Sequence, residues 1–270
     1  MTTPATPLTW LFCPANRPER YAKALGASDV AIIDLEDAVD SPDKDAARGM
    51  LRRAADELDA ERTVVRINPL GTADHQADLE LLAGSTLTTI MLPKVASAED
   101  IIKLAPYRVV ALCETVRGIL AAEEIAAAEG CVAITWGAQD LAVEMGAAST
   151  RDDGGRFLPF ASHARSTVRF AAAAAGIPAI ETVWVDIADH DGLAQESRRA
   201  ADEGFGGKLV IHPAHVEVVR SAFRPSDEQL RWAERVLAAS QGEGAAAVGG
   251  QMIDRPIIEL ARALVARASS

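Results

Sequence analysis

The 270-residue chain is predicted to be an α/β protein, a (β/α)8 TIM barrel with a C-terminal helical extension. Three observations carry that prediction. Short apolar, β-branched runs alternate with alanine-rich amphipathic segments along most of the chain. Eight such alternations occupy about 220 residues, the usual size of a closed barrel. Charged residues stand just past nearly every apolar run, where parallel-strand folds place their chemistry. The alternative is a doubly wound sheet, which usually announces a Gly-rich turn after its first strand. Here that turn reads Cys13-Pro14-Ala15-Asn16.

Taken in order, the first strand candidate, Trp10–Cys13, is followed by an amphipathic segment, Arg17–Leu25. Val30–Leu35 precedes Lys44–Asp56, and Thr63–Ile67 precedes Asp74–Leu82. Thr89–Leu92 leads to Ala98–Leu104, and Val109–Leu112 to Ile119–Ala128. Ala133–Trp136 is followed by Phe160–Ala175, Ala179–Val183 by Gly192–Glu203, and Lys208–Ile211 by Val216–Phe223. Each strand candidate is short and nearly continuously apolar, as a strand covered on both faces must be. Alternation of this kind implies parallel pairing through right-handed crossovers. The barrel is assigned to 1–224 and the extension to 225–270. In the extension Ser226 is placed to N-cap a helix over Gln229–Ser240. The small-residue stretch Gln241–Gly250 reads as a flexible linker. A last helix, Pro256–Ala268, carries Ile257, Leu260, Leu264 and Val265 on one face.

Composition narrows the functional classes. A net charge of −12 argues against a nucleic-acid partner. No apolar run is long enough to span a bilayer, and Met1-Thr2-Thr3-Pro4 does not open a signal peptide, so a cytoplasmic protein is expected. Cys13, Cys113 and Cys131 lie in or beside strand candidates and read as buried reduced thiols; without paired spacing they suggest no zinc site. A local basic cluster within Arg17, Arg20 and Lys23 still allows a phosphorylated small ligand.

The residues just past each strand form the active face of such a barrel. Read in order they are Asn16, Arg17 and Arg20; Asp34, Glu36 and Asp37; Arg66 and Asn68; Lys94; Glu114 and Arg117; Gln139 and Asp140; Glu181; and His212. Any one of these is compatible with a solvated loop charge. As a set they suggest a metal ion and an anionic substrate. Glu114 and Asp140 end neighbouring strands and are placed to share one hard divalent ion, Mg²⁺, which takes one or two protein carboxylates and keeps several waters. Arg66 suits a substrate carboxylate. Asp34 is expected to orient Arg66 and Lys94, while Glu36 or Asp37 takes a site role. His212, before Pro213, is either an acid/base or a loop-holding histidine, the second being favoured. Trp136 is expected to pack inside the barrel.

Several stretches resemble the HpcH/HpaI aldolase/citrate lyase beta-subunit superfamily, and within it the stand-alone acyl-CoA lyases. They are Leu11-Phe12-Cys13-Pro14-Ala15-Asn16-Arg17-Pro18-Glu19-Arg20, Asp34-Leu35-Glu36-Asp37-Ala38-Val39, Val65-Arg66-Ile67-Asn68 and Met91-Leu92-Pro93-Lys94. Further along come Glu114-Thr115 with Gly118, Trp136-Gly137-Ala138-Gln139-Asp140-Leu141, Ile211-His212-Pro213 and Gly250-Gln251-Met252-Ile253-Asp254-Arg255-Pro256. The resemblance implies a barrel assembling as a homotrimer or hexamer, with Mg²⁺ on Glu114 and Asp140 and Arg66 on the substrate carboxylate. It implies a CoA site near Arg17, Arg20 and Lys23, lined by His212-Pro213. It also implies that Asp254 enters a neighbouring subunit's site for acid/base chemistry. The expected reaction is Mg²⁺-dependent cleavage of a 3-hydroxyacyl-CoA thioester (citramalyl, malyl, citryl or hydroxymethylglutaryl) to acetyl-CoA and a 2-oxo acid, or the reverse. The competing expectations are a citrate lyase beta subunit using a carrier-bound citryl group, a pyruvate-type aldolase, and a non-catalytic acyl-CoA-binding barrel. Two positions depart from the family pattern: Gln139, where Glu is common, and the stretch Glu181-Thr182-Val183-Trp184.

Overall fold

A computed structural model describes residues 7–240, 247–248 and 251–268. Eight parallel strands close into a barrel in sequence order: β1 (Thr9–Pro14), β2 (Val30–Asp34), β3 (Thr63–Arg66), β4 (Thr89–Leu92), β5 (Arg108–Cys113), β6 (Cys131–Trp136), β7 (Ala179–Glu181) and β8 (Gly207–Val210). Every strand candidate overlaps one of these, and closure of β1 against β8 excludes the doubly wound sheet.

Helices cover the barrel's outside. They are α1 (Tyr21–Ala27), α2 (Lys44–Ala54), α3 (Ala73–Leu82), α4 (Ala98–Ile102), α5 (Val116–Leu120), α6 (Ala122–Ala127), α7 (Ala138–Met145), α8 (Pro159–Ala175), α9 (His190–Asp202) and α10 (Ala214–Phe223). Two differences from the sequence reading matter. The segment expected as one helix over 119–128 is two, α5 and α6, meeting at Ala121. The helix α7 is absent from the sequence reading. It starts one residue past β6 and ends at Gly146, whose φ of +68° is a left-handed cap. It buries Ala138, Leu141 and Ala142 at helical spacing, but Val143 and Met145 face outward and blur that stripe in the sequence.

The strands are apolar on both faces, and the two faces form separate cores. Trp10, Val30, Ile32, Val64, Met91, Val110, Leu112, Ala133, Ile180 and Leu209 fill the barrel interior. Their alternating neighbours, among them Leu11, Ile33, Val65, Ile90, Val109 and Ala111, pack outward against the helices. All three cysteines are free and buried, as expected. Among the described residues no helix is long and apolar enough to cross a membrane.

Beyond α10, α11 (Asp227–Ala239) is N-capped by Ser226 in a capping box with Gln229. It packs against α12 (Arg255–Ala268) through Ala233, Val236, Ala261 and Leu264. Arg267 ties α12 to the barrel wall by donating to the carbonyls of Ala201 (3.0 Å) and Phe223 (2.9 Å). The expected linker lies in large part outside the described residues. Within it β9 (Ala247–Val248) pairs antiparallel with β10 (Gln251–Met252).

Candidate active site

The period-2 alternation that fills the barrel interior also builds its mouth. Continuing the inward positions past each strand end gives Phe12 and Pro14 from β1, Asp34 from β2, Arg66 from β3, and Leu112 and Glu114 from β5. Thr182 follows β7, and Leu209 and Ile211 close the ring at β8. These residues, with Asp37, Trp136, Gly137, Gln139 and Asp140, line a cavity of ≈ 390 Å³ at the C-terminal face. One side is acidic and the other apolar.

On the acidic side Asp34 grips Arg66 in bidentate fashion, accepting from Nε at 2.8 Å and Nη2 at 2.6 Å. Asp34 is itself fixed by the backbone N–H groups of Glu36 and Ala38. Glu36 Oε2 lies 2.9 Å from Arg66 Nη1 as an ion pair, and its Oε1 accepts from Lys94 Nζ at 2.6 Å. Asp37 is exposed, 3.7 Å from Arg66 Nη1. The Arg66 guanidinium lies over the Phe12 ring, 4.8 Å from its centroid. Its Nε and Nη2 are hydrogen-bonded to Asp34, whereas Nη1 is held by ion pairs with Glu36 and Asp37. Asp34 thus orients Arg66 as expected, but Lys94 is held by Glu36 rather than by Asp34.

Glu114 is buried at 3 % exposure, and its Oε1 accepts from the Lys94 backbone N–H at 3.2 Å. Burial, then Asp140 and Glu36, push its carboxyl up to about 8. Asp140, in the first turn of α7, is half-buried; its Oδ1 and the Oε1 of Glu114 each lie 3.7 Å from Lys94 Nζ. Five carboxylates (Asp34, Glu36, Asp37, Glu114, Asp140) face two cations (Arg66, Lys94), so the site carries surplus negative charge. Two hard oxygen donors, room for waters and that surplus suit one Mg²⁺-like ion. Among the described residues no group of three or more His, Cys, Asp or Glu side chains forms a metal cage.

Gly137 is the positioning residue that sequence reading missed. Cys113 pairs with Trp136 across β5 and β6, so Glu114 and Gly137 leave the sheet side by side. A Cβ on Gly137 would stand 2.5 Å from Glu114 Oε2 and 2.7 Å from Glu114 Cβ. A glycine next to a strand-end acid is the available signal of such close approach. Gly137→Ala is expected to displace the Glu114 carboxylate and weaken Mg²⁺ binding by about tenfold or more, with the circular dichroism spectrum unchanged. Isothermal titration with MgCl₂ gives the answer, and wild-type affinity would rule the contact out.

Two expected rim charges lie elsewhere. Glu181 occupies an outward position on β7, opposite in parity to Ile180 and Thr182. It accepts from Trp136 Nε1 (2.8 Å) and Arg165 Nε (2.5 Å) behind the barrel wall. It thereby fixes Trp136, which is fully buried in the outer core between strands and helices and not inside the barrel as expected. Arg117 is exposed on α5 and lines a separate groove with Glu123 and Glu124. Arg17, Arg20 and Lys23 are exposed after β1, while His212 and Pro213 are exposed after β8. β1 and β8 are hydrogen-bonded neighbours, so the two groups flank one side of the mouth without lining the cavity. His212 Nδ1 accepts from the Ala214 N–H, a loop-holding contact, but the residue is exposed and not the core histidine expected. Asp254 does not line the cavity of its own chain; it is exposed and caps α12, accepting from the Ile257 N–H at 3.2 Å.

Residues 8–213 match the model of the HpcH/HpaI aldolase/citrate lyase family. The citrate lyase subunit beta-like protein of Mycobacterium tuberculosis is 53% identical over 260 residues, covering 96% of this chain and 94% of that protein. A (3S)-malyl-CoA thioesterase of Cereibacter sphaeroides is 34% identical, covering 96% of this chain and 94% of its own. The mitochondrial citramalyl-CoA lyase of Rattus norvegicus is 33% identical, covering 96% and 85%. The crystal structure of M. tuberculosis CitE in complex with magnesium, acetoacetate and coenzyme A superposes with a TM-score of 0.95 at 51% identity, covering 99% of both chains. The chain belongs to the HpcH/HpaI aldolase/citrate lyase family.

Proposed function

We propose that this protein is a Mg²⁺-dependent carbon–carbon lyase that cleaves a 3-hydroxyacyl-CoA thioester to acetyl-CoA and a 2-oxo acid, or condenses the two. The observation that carries the proposal is the pair Glu114 and Asp140 at a cavity that Arg66 also lines. Support comes from a relative named citramalyl-CoA lyase and from a structure holding magnesium, acetoacetate and coenzyme A.

Glu114 and Asp140 hold the ion, whose chemistry is to bind the 2-hydroxy carboxylate and act as a Lewis acid on the hydroxyl. Arg66 takes the substrate carboxylate through N–H groups that Asp34 does not hold, and is kept from rotating by Asp34 and Glu36. Phe12, Leu112, Val183 and Leu209 line the rest of the cavity and exclude water from the breaking bond. Arg17, Arg20 and Lys23, with the neighbouring His212-Pro213 turn, bind the CoA phosphates at the rim. A base takes the hydroxyl proton as the carbon–carbon bond breaks, and Asp254 of a neighbouring subunit, in a homotrimer or hexamer, gives a proton to the resulting enolate carbon in the lyase direction. Glu36 and Asp37 hold Arg66 and complete the acidic wall.

The test is a panel of citramalyl-, malyl-, citryl- and hydroxymethylglutaryl-CoA with MgCl₂, following acetyl-CoA and the oxo acid (a 2-oxo acid from the first three, the 3-oxo acid acetoacetate from the last) by chromatography. Stoichiometric release of both from one thioester, abolished by EDTA, is the expected result. Release of free CoA without acetyl-CoA would replace the lyase by a thioester hydrolase. No turnover of any thioester would leave a non-catalytic barrel or one needing a carrier protein.

A further inference from the structure

Lys94 stands apart from the other charges of the site. Among the described residues it is the one non-glycine residue with a left-handed backbone, at φ +55°. That conformation is unfavourable for an L side chain and is kept where surrounding contacts enforce it. The contacts here all lead to acids. The backbone N–H donates to Glu114 Oε1 at 3.2 Å, and Nζ donates to Glu36 Oε1 at 2.6 Å. The same Nζ stands 3.7 Å from an oxygen of each proposed metal-holding acid, Glu114 and Asp140. Its side chain is 35 % exposed, yet Lys94 does not line the cavity.

A fixed positive charge this close to both acids has two opposite consequences. It repels a divalent cation held between them, and it attracts an anion bound on that cation. A residue that only braced Glu114 would affect both in the same direction. Arg66, paired with Asp34 and Glu36, also acts on Glu114 through space but more weakly than Lys94, and it makes no salt bridge to Glu114 or Asp140.

We propose that Lys94 is a positioning residue that trades Mg²⁺ affinity for affinity toward the anionic 2-oxo acid, so that ion and substrate carboxylate are held best together. This rests on the reading that Glu114 and Asp140 hold the ion. Its chemical consequence is order: the ion alone binds loosely, and the carboxylate then binds to a site with a second positive charge beside it.

The experiment is calorimetric and needs no turnover. MgCl₂ is titrated into wild type, Lys94→Met and Lys94→Gly; pyruvate is then titrated into each at saturating MgCl₂. Lys94→Gly removes the charge and tolerates the left-handed backbone, so it guards against a misfolded Lys94→Met. Both variants are expected to bind Mg²⁺ about tenfold more tightly and pyruvate about threefold or more weakly than wild type. Lys94→Arg, keeping the charge, should stay near wild type in both. Unchanged or weaker Mg²⁺ binding in both neutral variants overturns the proposal, as does unchanged pyruvate affinity. A wild type that binds no Mg²⁺ would instead overturn the metal-site reading and this proposal with it.

Discussion

Glu114→Gln is expected to abolish measurable Mg²⁺ binding and to lower kcat/KM by about a thousandfold or more, a loss of about 4 kcal/mol of transition-state stabilisation. The substitution conserves shape. The amide that replaces the Glu114 carboxylate can keep its oxygen toward the Lys94 N–H and lie against Gly137, so the fold should be retained. What disappears is one of two formal charges available to the ion. The remaining acid, Asp140, is half-buried and already has Lys94 Nζ at 3.7 Å. Calorimetry with MgCl₂ and thioester kinetics check the two effects separately. Retained Mg²⁺ affinity together with retained turnover would show that the ion sits elsewhere.

The same residue dictates a pH dependence. Burial first, then Asp140 and Glu36, raise the Glu114 carboxyl to about 8. Below that value a proton competes with Mg²⁺, so apparent Mg²⁺ affinity should fall by up to about tenfold for each pH unit of acidification. The linkage has the matching sign. A carboxyl raised on folding stabilises the metal-free protein fully below its unfolded value, near 4.5, and that contribution is lost as pH rises through about 8. The rise in Tm produced by saturating MgCl₂ should therefore be larger at pH 8 than at pH 6, about two units below it. A Tm shift that is the same at both values, or larger at the lower one, would contradict this.

The barrel is legible in the sequence because its strands are short apolar runs at even spacing, and each run matches a strand. The site is legible only as a ring of strand-end charges. Which charges face inward is not, because strands covered by helices are apolar on both faces and carry no alternation to read. Glu114 continues the inward row of Val110 and Leu112, whereas Glu181 stands one position off the row of Ile180. One residue of phase sends the first into the cavity and the second to Arg165 behind the wall. The helix α7 is hard to read for a related reason. It exposes Val143 and Met145, which blur the short buried stripe of Ala138, Leu141 and Ala142, and Gly146 marks its end. Gly137 shows the limit differently: its role exists only once β5 and β6 are in register.

Mixing two inactive chains is expected to restore activity. Asp254→Asn alone should leave Mg²⁺ binding intact and reduce turnover by about a hundredfold or more, the usual worth of a positioned acid or base. Within one chain Asp254 caps α12 and does not line the cavity, and α12 is anchored to α11 and to the wall by Arg267. The cavity's own acids are otherwise engaged: Asp34 and Glu36 hold Arg66, and Glu114 and Asp140 are assigned to the ion. Of the cavity acids, Asp37 alone is exposed without a hydrogen-bonded partner, which makes it the in-chain competitor for the proton. Co-expression of Glu114→Gln with Asp254→Asn chains separates the two. If Asp254 serves a neighbour in a closed ring, random assembly pairs an intact Glu114 with an intact Asp254 at about a quarter of the sites. Turnover should recover toward that fraction of wild type, although each parent is inactive. If Asp254 serves its own chain, or if Asp37 carries the proton, every site keeps one defect or the Asp254→Asn parent is active from the start. Only recovery in the mixture, with both parents silent, is consistent with a site completed by two subunits.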